Sequence, residues 1–358
     1  MKIAVFGPHA DKETLAIKER LFNRGVEAHI FDLARFPSRM SITFDKGELV
    51  VDSRLLSEFS SAFLRGRGLN RPSYLNYEKP FRADNDRQWT ELHDAYNRFV
   101  HQETINLCIR QSVLAALSKI RVVVNTVRQN DYHRMKTYLL HRLTRAAASV
   151  PPFAAGTDKE SLRAHARRAL NEAEGVVQKP LAGIYKTHLW DEKMWRNHPW
   201  NERGALYQQY IQGDTIRCYV LDGEVVAAAK IVHGGTVDSS MSQTGIDVIE
   251  LPEHAREQAI NTAASLDLTF CGIDLMNRSG TGEYFVVDCN MSPMFVNFSR
   301  LSGIDIAAHI AEYLARRGDN ESRKANKAVS LLARTKELIA SDGDIREKMF
   351  GNHRGKRG

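Results

Sequence analysis

The sequence predicts a mixed α/β (α+β) chain. A doubly wound βαβ unit comes first, then a small second domain, then an antiparallel sheet. Three observations carry this. Residues 2–6 (KIAVF) read as a buried strand, a helix runs from about Lys12 to Arg24 with Gly25 as its C-cap, and Glu27–Asp32 is a second strand. Pro151-Pro152 then breaks the chain between two helical segments. Finally, two hairpin patterns follow one another. Thr215–Leu221 and Glu224–Ile231 flank Asp222-Gly223, a strong two-residue turn signal, and Cys271–Met276 and Glu283–Cys289 flank a Gly- and Ser-rich turn from Arg278 to Gly282.

Taken in order, the opening strand runs into Gly-Pro without a G-x-G-x-x-G, so a dinucleotide fingerprint is absent. Trp89–Ser118 has apolar residues at helical period (Leu92, Tyr96, Phe99, Ile105, Ile109, Val113, Leu117) and reads as one or two long helices. Arg121–Thr126 is a short strand that Asn125 ends, and Asp131–Ala148 is a helix with Lys136 one turn in. Asp158 caps a helix over Lys159–Ala173, EGVVQKP is a strand ending in Lys179, and Leu206–Ile211 is another strand. IVHGGTVDSSMSQTG (231–245) is small and polar, the kind of loop that lines a substrate pocket. LPEHAREQAINTAASLDL is an amphipathic helix, and SGIDIAAHIAEYLARR is the last core helix. The expected units are 1–125, 126–205, 206–318 and a basic tail over 319–358.

Composition bounds the function. Apolar content of 43% and charged content of 26% are those of a globular protein, and no run approaches the roughly 18 apolar residues of a membrane span. The start MKIAVFGP lacks the apolar length and cleavage site of a signal peptide. Four cysteines (Cys108, Cys218, Cys271, Cys289) without C-x-x-C spacing point to reduced thiols and a cytoplasmic location. Of the net charge of +7, residues 321–358 supply +5, with ten Lys/Arg against five Asp/Glu. Nucleic acid is therefore not expected as a partner, except through that tail. The 13 His include no H-E-x-x-H, and no G-x-S-x-G, Walker A or zinc-ribbon pattern occurs.

The stretch Phe270–Phe298 holds the densest chemistry. With its turn centred near Thr281, Asp274 falls opposite Asp288, and strand alternation puts Asn290 on the face of Asp288. Facing carboxylates repel, so the cluster needs a cation. Few, hard oxygen ligands suit Mg²⁺. The same spacing also fits a polar hairpin face with solvated acids. Cys289, between Asp288 and Asn290, is expected on the opposite, buried face.

D-x(13)-D-x-N-x-S-P, followed by GIDIAAHIAEYL, resembles the C-terminal core of ATP-grasp ligases of the RimK-like group. The resemblance spans about residues 120–316 and implies an ATP-grasp fold: a pre-ATP-grasp βαβ domain, a lid and an antiparallel catalytic core. It implies ATP and Mg²⁺ as cofactors, with one or two ions and Mn²⁺ as an alternative. Asp274, Asp288 and Asn290 would be the metal ligands, although Asp288 stands where the group usually has Glu. By the same resemblance Lys136 and Lys179 are the two ATP lysines. Gln208-Gln209-Tyr210-Ile211 followed by Gly213-Asp214-Thr215-Ile216-Arg217 is similar to the hinge run, so Gln209, Tyr210 and Ile211 meet adenine and Asp214 lies near ribose. Arg217 would face the γ-phosphoryl group, with Lys230 as a second catalytic candidate. In the lid, LAGIYKTHL (181–189) has only Gly183 where several glycines are usual; Tyr185, Lys186, Thr187 and His188 could replace some backbone contacts, or the segment is a substrate gate or a plain loop.

The resemblance implies a carboxylate–amine ligase that passes through an acyl phosphate and takes an amino acid or peptide; a homo-oligomer is compatible with it. Two alternatives stay open. ELP-x(13)-LDLTFCGIDL, GEYFVV and SSAFLRGRG (60–68) resemble ATP-grasp macrocyclases of ribosomal peptides, whereas Ser292-Pro293 is closer to the first group. The sparse lid glycines, Asp288, Gln209 and the basic tail also fit a catalytically silent relative that binds peptide or RNA.

Overall fold

A computed structural model of the chain describes residues 1–65, 86–117, 120–132, 135–172, 175–179, 187–191, 205–233 and 243–321, with the single residues 181, 193 and 324. Lid residues 182–186, loop residues 234–242, Arg67, Gly68 and the tail beyond 324 lie outside the described residues.

The chain opens as expected. β1 (Lys2–Phe6), α1 (Lys12–Asn23) and β2 (Glu27–Phe31) form a parallel βαβ unit with Lys2 opposite Glu27. Asp11 caps α1 by accepting the Thr14 amide, and Gly25 takes the left-handed conformation at φ +69° just past its end. A small antiparallel sheet of β3 (Ile42–Asp45), β4 (Glu48–Val51) and β5 (Arg54–Leu55) follows, which the sequence reading passed over. β6 (Ser61–Leu64), the long helix α2 (Asp86–Ala116) and β7 (Val122–Val124) complete a parallel sheet of order β2-β1-β6-β7.

The expected helix over 131–148 is two helices. Thr126 and Gln129 form a reciprocal capping box that starts α3 (Val127–Asp131) earlier, and α4 (Lys136–Arg145) begins afresh after Met135, whose backbone is not helical. Lys136 is therefore the first residue of its helix, not one turn in.

The next sheet has order β10-β9-β11-β8, built from β8 (Phe153–Gly156), β9 (Val176–Lys179), β10 (His188–Trp190) and β11 (Ala205–Gln209). α5 (Lys159–Glu172), capped by Asp158, packs Leu162, Ala166 and Ala169 against Val176 and Tyr207 of this sheet. Because β11 pairs with β8 and β9, the chain changes sheets at residues 210–212.

The last sheet has order β14-β13-β12-β15-β16. β12 (Gly213–Leu221) and β13 (Glu224–His233) are joined through Asp222 (φ +52°) and Gly223 (φ +83°), both left-handed as a tight hairpin turn demands. β14 (Gln243–Val248), α6 (Glu253–Ser265), β15 (Phe270–Arg278) and β16 (Tyr284–Asn290) follow, then α7 (Val296–Ser302) and α8 over 306–321. Both faces of this sheet are buried. Ile216, Cys218, Ile273, Val286 and Cys289 pack under α4 and α6; Tyr219, Leu221 and Phe270 pack against β1, α1 and α8. All four cysteines are free thiols. Among the described residues no helix is long and apolar enough to cross a membrane.

Candidate active site

The central pairing is present: Asp274 faces Asp288 across β15 and β16, with Asn290 opposite Gly272 on the same side. A bulge makes this so. Toward the turn, Leu275 pairs with Val286, Met276 with Phe285 and Asn277 with Tyr284, a register that would set Val287 opposite Asp274. The extra residue at Val287 moves Asp288 into that place. Val287 also turns its carbonyl to the sheet edge, where Lys179 Nζ donates to it at 2.7 Å.

Arg217 on β12 lies directly opposite Asp274 on β15. Its Nε donates to Asp274 Oδ1 and its Nη2 to Oδ2 at 2.9 Å, a two-pronged pair whose side chains are 22% and 16% exposed. Lys136 Nζ stands 3.9 Å from Asp288 Oδ2. The structure thus brings Lys136, Lys179, Arg217, Asp274, Asp288 and Asn290 to one end of the sheet. Three cations face two carboxylates, a balance that favours an anionic ligand.

The electrostatics agree. Burial, with the nearby Lys136 adding to it, pushes the Lys179 ammonium below its usual range against the pull of Asp288 and Asp274. Burial raises the Asp274 carboxyl; Arg217 opposes the rise and the facing Asp288 adds to it. Burial also works against the Arg217 charge, yet Asp274 holds that guanidinium above its ordinary range.

The oxygens available to a metal are two carboxylates and one amide. Among the described residues no three His, Cys, Asp or Glu side chains group as a metal site. Asp288 Oδ1 accepts the Cys289 amide and Asn290 Oδ1 accepts the Ser292 amide, both at 3.0 Å. These contacts hold the two side chains in place. The set fits a hard divalent cation that retains waters and phosphate oxygens.

The hinge residues are placed differently from one another. The Gln209 amide donates to Pro152 O at 2.8 Å and the Tyr210 amide to Gly175 O at 3.1 Å, so a ligand at this hinge meets other backbone atoms. Register pairs Leu206 with Lys179, which puts Leu206 and Gln208 on the lysine's face and Gln209 with Tyr207 on the side of α5. Ile211 is buried. Asp214 and Lys230 form their own pair, 2.8 Å apart, that raises the Lys230 ammonium through this hydrogen bond. Each is an even number of residues from Cys218 or Ala228 on its own strand, so they belong to the sheet face opposite Arg217 and Asp274.

Three further residues, Arg65, Asn125 and Gly272, hold the site in place. Arg65, fully buried, donates through Nε to Asp11 and through Nη2 to Glu13, while Nη1 reaches Ser292 Oγ at 2.7 Å and Pro293 O at 3.1 Å. The SSAFLRGRG stretch contained this arginine, but nothing in it pointed to Ser292. Asn125, read only as a strand end, donates to Phe270 O and to Met291 O and accepts the Thr269 and Phe270 amides. At Gly272 a Cβ would lie 2.8 Å from Pro293 Cβ, so only glycine lets Pro293 pack there.

This arrangement of parallel N-terminal sheet, four-stranded sheet and five-stranded sheet is the ATP-grasp fold. The solved ligase PsnB in complex with a precursor peptide and AMPPNP superposes with a TM-score of 0.70 at 23% identity, covering 88% of this chain and 97% of that one. The macrocyclase MdnC from Microcystis aeruginosa, bound with its precursor peptide MdnA, gives 0.66 at 16% identity over 88% and 100%. A RimK domain ATP-grasp protein from Sphaerobacter thermophilus gives 0.54 at 18% over 88% and 99%. More narrowly, residues 197–314 match the RimK-like ATP-grasp domain. Curated relatives match about a third of the chain. "Probable alpha-L-glutamate ligase 2" of Pseudoalteromonas atlantica is 32% identical over 33% of this chain and 40% of its own length. A namesake from Psychromonas ingrahamii is 37% identical over 30% and 37%. The chain spans about two fifths of the length of these curated relatives.

Proposed function

We propose that the chain is an ATP-dependent ligase that activates a substrate carboxylate as an acyl phosphate and joins it to an amine. The convergence of Lys136, Lys179 and Arg217 on the Asp274–Asp288 pair carries this reading. A substrate carboxylate oxygen takes the γ-phosphoryl group as its bond to ADP breaks; the amine then displaces phosphate from the acyl carbon and loses a proton. Asp274, Asp288 and Asn290 would hold the divalent cation, which supplies positive charge beside the phosphates. Lys136 and Lys179 offset phosphate charge, and Arg217 offsets the charge that develops during transfer. No protein nucleophile is needed. Asp214 and Lys230 remain assigned to ribose and catalysis by resemblance alone, and Gln209, Tyr210 and Ile211 to adenine through their backbone.

A peptide as the carboxylate-bearing partner is favoured by one observation. Precursor-peptide ligases resemble this chain over 88% of its length at TM-scores near 0.7, whereas the glutamate-ligase relatives match about a third of it. The match to the RimK-like ATP-grasp domain and the names of those relatives support the amide chemistry.

The test is Mg²⁺-dependent ATP binding by calorimetry, with ADP release measured in the presence of peptides and of cellular small molecules. Asp274→Asn and Asp288→Ala should abolish turnover with circular dichroism unchanged; near-normal turnover in either would refute the site. Absence of any ATP binding by the wild type, with salt-sensitive RNA binding that is lost on deleting residues 321–358, would favour a silent binding module.

A further inference from the structure

Arg110 is a buried arginine whose guanidinium is only partly satisfied among the described residues. It lies on α2, is 8% exposed, and among the described residues its Nε and Nη2 have no hydrogen-bond partner. Other buried charged side chains have partners: Arg65 has Asp11 and Glu13, and Asp32 accepts the His9 and Ala34 amides. The nearest acid on α2, Glu103, is two turns away and accepts from Asn106. Buried guanidinium nitrogens without an acceptor are destabilising, and buried charges are ordinarily paired.

Its position gives that cost a use. α2 links β6 to the parallel strand β7, so it runs antiparallel to the strands, and Val113, Leu114 and Leu117 pack on Ala4, Phe6 and Leu64. Arg110 is one helical turn before Val113 and Leu114, hence toward the carboxyl ends of the strands. In open parallel sheets, ligands bind outside those ends. From this same edge Arg65 reaches Ser292 and Asn125 reaches Met291, the residues just past Asn290.

We propose that Arg110 receives a carboxylate of the molecule this chain modifies, through the planar fork that suits a carboxylate in two-pronged contact. The identity of that molecule rests on the ligase reading; the anion site itself does not.

The test is thermal unfolding of the full chain at constant ionic strength, with chloride replaced stepwise by glutarate or by phosphate, for wild type, Arg110→Met and Arg110→Lys. Because it needs no ATP turnover, it separates failure of this site from failure of the ligase reading. The wild-type Tm is expected to rise by several degrees in glutarate and Arg110→Lys by less. Arg110→Met, freed of the buried charge, should match or exceed the wild type in chloride and ignore both anions. Equal responses in wild type and Arg110→Met, a response to phosphate alone, or an Arg110→Met protein that is less stable in chloride and whose Arg110→Lys counterpart shows no anion response would each overturn the assignment.

Discussion

Arg65 joins segments 227 residues apart, and each of its guanidinium nitrogens has an acceptor. It acts on the site through Ser292, whose amide holds Asn290 Oδ1. Arg65→Met should leave Asp11 and Glu13 buried without their cation and destabilise the protein by roughly 3–5 kcal/mol, measured by denaturant unfolding. Its partner gives a pH prediction. Burial works against the Asp11 charge, but Arg65 and the Thr14 amide hold its carboxyl below the usual value. A depressed folded-state pKa contributes stability above the unfolded value, about pH 4, and loses it as pH falls further. The stability difference between wild type and Asp11→Asn should therefore be full near pH 7 and shrink below about pH 4. A gap that does not change with pH would contradict this.

At the scale of elements, β16 is the informative strand. Alternation alone predicts which residues share a face, and it correctly set Cys289 into the core and Asn290 beside Asp288. The bulge at Val287 is not visible in such a pattern, because one extra residue shifts every partner beyond it. The facing of Asp274 and Asp288 was inferred from a turn centre, and the bulge is what makes it true. Gly272 shows the same limit. Gly272→Ala should still fold, but Pro293 must shift, and with it the Ser292–Pro293 segment that Arg65 holds beside Asn290, so Mg²⁺-dependent ATP binding is expected to weaken at least tenfold by calorimetry. Unchanged affinity would show that the close approach is not required. The helix break at 131–135 is a further case: a capping box at Thr126 and Gln129 outweighs the apolar period that suggested a helix starting at Asp131.

For the molecule as a whole, the N-terminal sheet and the five-stranded sheet are tied through Asn125, Arg65 and the core shared by β1, α1 and α8. Asn125→Ala would strand two backbone amides and two carbonyls at this junction, a loss of about 3 kcal/mol or more. Wild type is expected to unfold in one transition, and Asn125→Ala to separate the N-terminal unit as an earlier one by calorimetry; a single transition with an unmoved Tm would mean the junction adds little.

Strand and helix periods, the Asp222-Gly223 turn and the Gly25 and Asp158 caps are local in the chain, so the sequence by itself determined the βαβ opening and the two hairpins; the lysines, arginine and acids of the candidate site stand in it only as an ordered series that the fold brings together. The partners of Arg65 and Asn125, the bulge at Val287, the separation of Asp214 and Lys230 from Arg217 across the sheet, and the lack of acceptors for Arg110 Nε and Nη2 among the described residues were decided only by tertiary structure. Each depends on which distant segment lies alongside, and side-chain period and propensity carry no record of that.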